Sequence, residues 1–249
     1  MDVSLHIMVA VGIAAFLVAG LVKGVIGLGL PSISIGLLAL VMTPAEAAAI
    51  MIFPTFVTNV WQMLAGPHLV ALLRRLWTLL AGSVIGIWLG GGILTSANSR
   101  IAGCGLGIAL VVYASIGLSK VKFSVPRRHE IWASPLIGLA TGFIAGGTGV
   151  FMIPAGPYYH AIGLNKDELV QTLGLAFTVS VVVLALILWR DGVMQMGNAT
   201  GSALAVVPAL AGMAVGQRIR QYASEETFRR YFFMGLLLLG AQQAIRNMI

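Results

Sequence analysis

The sequence predicts an all-α polytopic membrane protein with about eight transmembrane helices in two four-helix repeats, each with a glycine-rich broken helix. Two observations lead to this prediction. Hydrophobic residues make up 59% of the 249 residues and charged residues only 9%, whereas about a quarter of a soluble domain is charged. Charge-free stretches of about 20 residues, the length that crosses a bilayer as a helix, also recur along the chain.

The positions of the charged residues indicate where the spans lie. Charge-free stretches at 76–99, 101–119, 169–189 and 192–217 are each long enough to cross a membrane. Apolar sequence on either side of them extends the prediction to the rest of the chain. The predicted spans are a long unit at about 8–42, followed by 46–65, 76–94, 101–118, 132–163, 168–189, 200–217 and 229–246.

The chain is basic, with a formal net charge of +7. Its basic residues lie mostly between the apolar stretches, as expected for membrane proteins whose cytoplasmic loops are rich in lysine and arginine. We therefore expect the lipid bilayer, and not a nucleic acid, as the partner. The basic stretch at 119–131 is predicted to be a cytoplasmic connector between an N-terminal membrane repeat, 1–118, and a C-terminal one, 132–249.

Two similar stretches indicate the repeats: GLVKGVIGLGLPSIS at 20–34 and GLATGFIAGGTGVFM at 138–152. Aligned from their first residues, they match three pairs of glycines: Gly20 with Gly138, Gly24 with Gly142, and Gly29 with Gly147. Each stretch is followed by a short apolar piece and then by a polar helix start, TPAEA or NKDEL, that combines capping and acidic residues. A later set of small residues corresponds as well: Gly82, Gly86 and Gly90 with Pro208, Gly212 and Gly216.

Glycine and proline in these stretches predict broken helices. Glycine adopts conformations that other residues avoid, and proline removes a backbone donor. Irregular chain at membrane depth is tolerated only against protein or a water-filled cavity, and a break presents free N–H groups that suit an anion. Breaks at 24–31 and 146–154 therefore predict an anion site between the repeats. Close helix packing is the alternative explanation of the glycines.

The stretch GFIAGGTGVFMIP at 142–154 resembles the glycine-rich signature of the sulfite exporter TauE/SafE family of permeases. That family is built from two halves, each opening with such a motif, and the resemblance covers essentially the whole chain. It implies a multi-pass permease of the bacterial inner membrane that exports sulfite, sulfonates or related sulfur-containing anions. The first stretch departs from the motif because Leu28, Leu30 and Pro31 interrupt its glycines.

Polar side chains inside apolar spans are costly and are therefore candidates for function. The span that contains FPTFVTNVWQ carries four of them on one helical face, and the matching span of the second half also offers Gln171 and Thr172. Such neutral groups can bind an oxyanion or can hydrogen-bond neighbouring helices. The predicted substrate-binding residues are Lys23, Gly27, Gly29, Thr55, Thr58, Asn59, Gln62, Gly146, Gly147, Thr148, Gly149, Thr178 and Ser180.

Lys23 is the one basic residue of the first membrane unit, and the sequence allows two positions for its side chain. A long basic side chain can extend to the membrane interface. It can also face the cavity, where its charge would attract an anion. The alignment above places Thr141 opposite Lys23, so a role of this charge would be confined to the first half.

Signals of other functions are missing from the sequence. No acidic residue lies in the middle of a predicted span, and neither a Walker A nor an HExxH motif is present. Cys104 is the only cysteine, which excludes an internal disulfide. We therefore expect no enzymatic activity, no cofactor and no metal site.

The predicted function is export of a small sulfur-containing oxyanion by alternating access, with the two halves rocking around the bound anion. A small anion and lipid are the expected partners, and association with further copies of the chain is left open. Two alternatives also fit the sequence. One is an anion channel of the same architecture, and the other is a membrane scaffold or assembly factor that transports nothing.

Overall fold

The structure is a computed structural model that describes residues 5–96, 99–119, 124–222 and 225–248. These residues form ten α-helices and no strand, which confirms the all-α prediction. The helices are α1 (Leu5–Ile26), α2 (Leu30–Leu38), α3 (Pro44–Leu64), α4 (Leu69–Leu94), α5 (Ser99–Leu118), α6 (Arg127–Thr148), α7 (Ala155–Ala161), α8 (Lys166–Arg190), α9 (Met196–Arg220) and α10 (Glu225–Met248).

Seven of the described helices are long and apolar enough to cross a membrane: α1, α3, α4, α5, α6, α8 and α9. The chain is thus a multi-pass membrane protein. The span predicted at 229–246 lies in α10, which is not among the seven. Polar residues at both ends of α10, among them Arg229, Gln243 and Arg246, reduce its hydropathy. The count of eight spans therefore stays a prediction.

Both polar helix starts form the capping interactions that the sequence predicts. The Thr43 hydroxyl accepts a hydrogen bond from the Glu46 N–H at 3.3 Å, and the Glu46 carboxylate accepts one from the Thr43 N–H at 2.9 Å. Asn165 and Glu168 make the same reciprocal pair at the start of α8, with distances of 2.9 and 3.0 Å. These capping boxes satisfy donors that the first turn of a helix leaves free, and they fix where α3 and α8 begin.

Among the described residues, glycines bring four pairs of helices into backbone contact: α1 with α9, α4 with α6, α5 with α10, and α3 with α8. A Cβ atom added to Gly20 or Gly24 would meet the carbonyl oxygen of Ala209 or Met213 in α9. A Cβ on Gly142 would likewise meet the Ser83 carbonyl oxygen of α4. The small residues at spacing four therefore form packing seams, because without side chains the backbones can approach closely.

The seam contacts relate the two halves in a register different from the sequence alignment. The contact of Gly20 with the α9 backbone corresponds to the contact of Gly142 with α4. In the same way, the contact of Gly24 with α9 corresponds to that of Gly146 with α4. Gly27 and Gly149, which follow the ends of α1 and α6, continue this register. In this register Gly20 corresponds to Gly142, one helical turn beyond the Gly138 of the sequence alignment. Sequence alone does not separate the two alignments, since glycines at spacing four match equally well after a shift of one turn.

One consequence of this register concerns Lys23. Its counterpart in the second half is Ala145, not Thr141 as the alignment predicts. The division into an N-terminal and a C-terminal repeat, 1–118 and 132–249, stays a prediction, and the reciprocal seam contacts support it.

Two helix starts differ from the predicted spans because of an ion pair. Arg75 of α4 donates two hydrogen bonds to Glu130 of α6, at 2.9 and 2.7 Å, and a third to the Ile162 carbonyl oxygen at 2.9 Å. Charge-free stretches exclude both residues from the spans. In the structure α4 begins at Leu69, and α6 begins at Arg127, inside the predicted connector. Residues 120–123 of that connector lie outside the described part of the chain.

The seams can be tested with two alanine variants of α4. Gly86→Ala places a methyl group against the Leu139 carbonyl oxygen and the Phe143 nitrogen, which are backbone atoms that cannot move aside. We expect it to lower the free energy of unfolding by about 1–3 kcal/mol, a typical cost of overpacking, seen as a lower melting temperature in detergent.

Gly92→Ala is the matched control for this test, because a Cβ there meets nothing within 4 Å. Alanine is the better helix former, so this variant should melt at the wild-type temperature or slightly above it. Equal melting temperatures of the two variants would contradict the close α4–α6 contact.

Candidate functional site

The first predicted helix break is present, and it lies between α1 and α2. Gly27 and Gly29 have φ angles of 78° and 102°, which lie in the left-handed region where a side chain is strained. Helix α2 begins at the next residue, and Pro31 stands in its first turn. No side chain caps this helix start. The break therefore leaves an uncapped helix N-terminus just beyond the end of α1.

The second break begins later than the sequence predicts. Helix α6 continues through Gly146, Gly147 and Thr148, and the left-handed residue is Gly149, with a φ angle of 74°. A Cβ on Gly146 would lie 2.5 Å from the Ile87 carbonyl oxygen and 2.9 Å from the Gly91 nitrogen. Gly146 therefore serves close helix packing, which is the alternative that the sequence left open.

Threonine side chains satisfy backbone groups around the second break. The Thr148 hydroxyl donates to the Ile144 carbonyl oxygen at 2.6 Å and accepts from the Val150 N–H at 3.2 Å. The Thr141 hydroxyl accepts from the N–H of Ala155, the first residue of α7, at 3.1 Å. These side chains occupy N–H groups that a ligand would otherwise use. The second break thus differs from the first, whose helix start has no side-chain cap.

The four polar residues of α3 share a buried face, as their spacing predicts. Thr55, Thr58, Asn59 and Gln62 are all buried. The Thr58 hydroxyl donates to the Pro54 carbonyl oxygen of its own helix at 2.7 Å, whereas the buried Thr55 hydroxyl has no hydrogen-bond partner in the described part of the chain. Thr58 is therefore satisfied locally, and Thr55 is available for another partner.

Lys23 contacts this face and does not extend to the membrane interface. Its side chain is only 4% exposed, and its ammonium group donates a hydrogen bond to Asn59 Oδ1. An ammonium group has no acceptor, so the amide must turn its oxygen towards Lys23. The Asn59 NH2 group is then left buried, and no described residue forms a hydrogen bond with it. The pair thus presents a positive charge and an unused donor, the combination that binds an oxyanion.

Gln62 links the first break to the second half of the chain. Its Nε2 atom donates to the Gly27 carbonyl oxygen at 3.2 Å and to the Val170 carbonyl oxygen of α8 at 2.8 Å. Both donors of the amide are used in this way. Gln62 therefore positions the break and the adjoining helices, and its NH2 group is not free to bind a ligand in this conformation.

The candidate residues of α8 are not brought to the Lys23–Asn59 pair by any described hydrogen bond. The Thr178 hydroxyl donates to the Gly174 carbonyl oxygen of its own helix at 2.7 Å, and Ser180 is buried. Gln171 donates to the Met63 and Gly66 carbonyl oxygens at 2.8 and 2.6 Å. Gln171 thus fixes the turn that follows α3, which is a structural task.

The second break approaches the first half through apolar contacts. A Cβ on Gly149 would lie 2.5 Å from Ile35 Cδ1 of α2 and 3.3 Å from Met51 Cε of α3. The polar groups that the structure brings together are therefore those around the first break, Lys23, Asn59, Gln62 and the Gly27 carbonyl group. Sequence analysis missed the role of Thr141 as a cap of α7, because its position depends on how the chain turns after α6.

The positioning role of Gln62 can be tested by Gln62→Leu. This variant leaves the carbonyl groups of Gly27 and Val170 without their donor, at a cost of about 1–3 kcal/mol for each unsatisfied group. We expect a clearly lower melting temperature in detergent. Gln242→Leu is the control, since Gln242 is an exposed glutamine of α10, and it should change little. A Gln62→Leu protein as stable as the wild type would contradict the role.

Comparison with known proteins agrees with these features. The family model for the sulfite exporter TauE/SafE matches residues 12–242, which is nearly the whole chain. Neither the search of curated proteins nor that of solved structures gives a significant match. The matched range includes both glycine breaks and every residue of the polar cluster at the first break. The chain therefore belongs to the sulfite exporter TauE/SafE family of membrane transporters.

Proposed function

We propose that this protein exports a small sulfur-containing oxyanion, such as sulfite or a sulfonate, across the bacterial inner membrane by alternating access. The observation that carries the proposal is the buried pair of Lys23 and Asn59 next to the first helix break. The family supplies the kind of substrate, and the pair supplies a chemical reason why an anion would bind here.

The groups at the first break suit an oxyanion. The Lys23 ammonium group offers charge, and the Asn59 NH2 group offers a donor that has no partner among the described residues. Thr55, one helical turn before Asn59, adds a buried hydroxyl without a partner. Hydrogen bonds between a charged ligand and such preformed donors are the stronger ones in proteins. We assign Lys23, Asn59 and Thr55 to direct binding, and Gly27, Gly29 and Gln62 to shaping the site.

The residues of the second half enter the proposal in a different way. Gly146, Gly147 and Thr148 form the end of α6, and Gly149 is the residue at which the chain turns towards α7. Thr178 and Ser180 belong to α8, whose Val170 carbonyl group contacts Gln62. A Cβ on Gly174 of α8 would meet the Met63 nitrogen of α3, so these two helices are in backbone contact. We propose that α3 and α8 move together relative to α1, and that this movement opens and closes the site at the first break.

Burial of the pair favours a carrier over an open channel. Lys23 is 4% exposed and Asn59 is fully buried, so this conformation gives water no open path to the site. An anion can reach the pair only after helices move. The membrane potential can drive such export, because moving one charge through 100 mV changes its free energy by about 2.3 kcal/mol.

Flux in proteoliposomes tests the proposal. We expect saturable transport of sulfite or a sulfonate by the wild-type protein, with weaker transport of acetate. Asn59→Ala removes the free donor and the partner of Lys23, and should lower kcat/KM by about tenfold or more. Gln242→Ala removes an exposed amide of α10 and should transport like the wild type.

The alternatives give different results in the same experiment. A channel would show large unitary currents and no saturation. A scaffold would show no saturable flux of any of these anions, although the protein is folded and correctly inserted. Normal transport by a folded Asn59→Ala protein would show that the Lys23–Asn59 pair does not bind the substrate, although the protein would still be a transporter.

A further inference from the structure

Two charged side chains are buried in the part of the chain that the structure describes, Lys23 and Glu130. Glu130 forms a bidentate ion pair with Arg75, so its charge is compensated within the protein. Lys23 has the neutral Asn59 side chain as its described hydrogen-bond partner, and no acidic group forms a described ion pair with it. Lys23 is thus a buried cation without a described counter-charge.

The protein compensates only part of a charge on Lys23 when no ligand is bound. Lys23 lies in the last turn of α1, where the negative end of the helix dipole favours a cation. The Asn59 oxygen adds one acceptor. Neither interaction cancels a full charge, however, and an uncompensated buried charge remains costly. A ligand that carries one negative charge would bring the site to electrical neutrality.

No equivalent cation stands in the second half. The residue that corresponds to Lys23 in the seam register is Ala145, which is buried and apolar. Counted from the start of each helix, the position of Asn59 in α3 corresponds to that of Val181 in α8. Val181 is also buried. The charged pair therefore occurs once, although the helices around it have counterparts in both halves.

We propose that Lys23 is the single counter-charge of one anion site, and that this site takes monoanions and discriminates against dianions of the same shape. The proposal rests on the proposed function, and it adds the charge of the substrate. A monoanion beside Lys23 leaves a neutral site, whereas a dianion leaves one negative charge buried without a partner. Sulfonates and hydrogen sulfite carry the matching charge.

Two ligands of nearly identical shape separate charge from size. Methanesulfonate and the dianion of methylphosphonate each present three oxygens and one methyl group, and they differ by one charge. Transport of both is measured in proteoliposomes at one alkaline pH at which methylphosphonate is a dianion. We expect the wild-type protein to transport methanesulfonate with a kcat/KM about tenfold or more above that of methylphosphonate.

Variants of Lys23 test the source of this preference. Lys23→Gln removes the charge and should lower kcat/KM for methanesulfonate about 30-fold or more, as truncation of one partner of a buried charge pair does. Lys23→Arg keeps the charge and should retain more of the transport than the glutamine variant. Lys166→Gln removes an exposed lysine at the start of α8 and should behave like the wild type. Elution as a single species in detergent shows that each variant is folded.

The outcomes distinguish this proposal from the proposed function. Saturable transport by wild type and by Lys23→Gln with equal kcat/KM would overturn the counter-charge role and leave the transporter intact. Preference of the wild type for the methylphosphonate dianion would overturn the monoanion rule. Absence of saturable transport of sulfite and of any sulfonate by the wild type would instead contradict the proposed function itself.

Discussion

The rest of the structure depends on backbone contact between helices at glycine. Among the described residues, each glycine whose added Cβ would come within 3.0 Å of a backbone atom makes that contact between the first and the second half of the chain. In lipid no hydrophobic effect drives helices together, so close packing must supply the attraction. The seams of α1 with α9 and of α4 with α6 thus fix the ends of α1 and α6. They thereby place both breaks, and Lys23 one turn before the first.

The backbone groups at the two helix breaks have different kinds of hydrogen-bond partner. A chain that leaves the helix at membrane depth must find partners for its backbone groups. At the second break Thr141 and Thr148 supply them from within the same segment. At the first break Gln62 reaches across from α3, and no side chain caps α2. The first break therefore depends on a neighbouring helix, and it retains donors and a charge beside it that the second lacks.

Much of the fold could be predicted from the sequence, because membrane helices need long apolar stretches and because capping residues mark helix starts. The break at Gly27 was predictable from its glycines and Pro31, and the buried face of Asn59 from the helical spacing of its polar residues. The register of the repeats was not, since glycines at spacing four fit after a shift of one turn. The helical position of Arg75 also needed the structure, because its charge is neutralised by Glu130, which is distant in sequence.

The position of Lys23 shows a further limit of the sequence. A lysine near the end of a span can extend to the interface or turn inwards, and its neighbours in sequence are the same in both cases. Asn59, which lies on another helix, decides between the two positions. The candidate site was therefore predictable as a set of residue types but not as a set of contacts. The sequence did not indicate which of the two breaks has free polar groups beside it. That followed only from the hydrogen-bond partners of each polar group in the structure.

The cross-half contacts also restrict how the transporter can move. If residues 1–118 and 132–249 rocked as rigid bodies, the seams of α1 with α9, α4 with α6, α5 with α10 and α3 with α8 would all have to open, since each joins the two halves. Those contacts are between backbones, which cannot rearrange as flexible side chains can. Movement that keeps the seams intact would instead carry α1 with α9, α4 with α6, α5 with α10 and α3 with α8 as mixed pairs. The candidate site lies between α1 and α3, and its hydrogen bonds, of Lys23 with Asn59 and of Gln62 with the Gly27 carbonyl group, can break and re-form at lower cost than the seams.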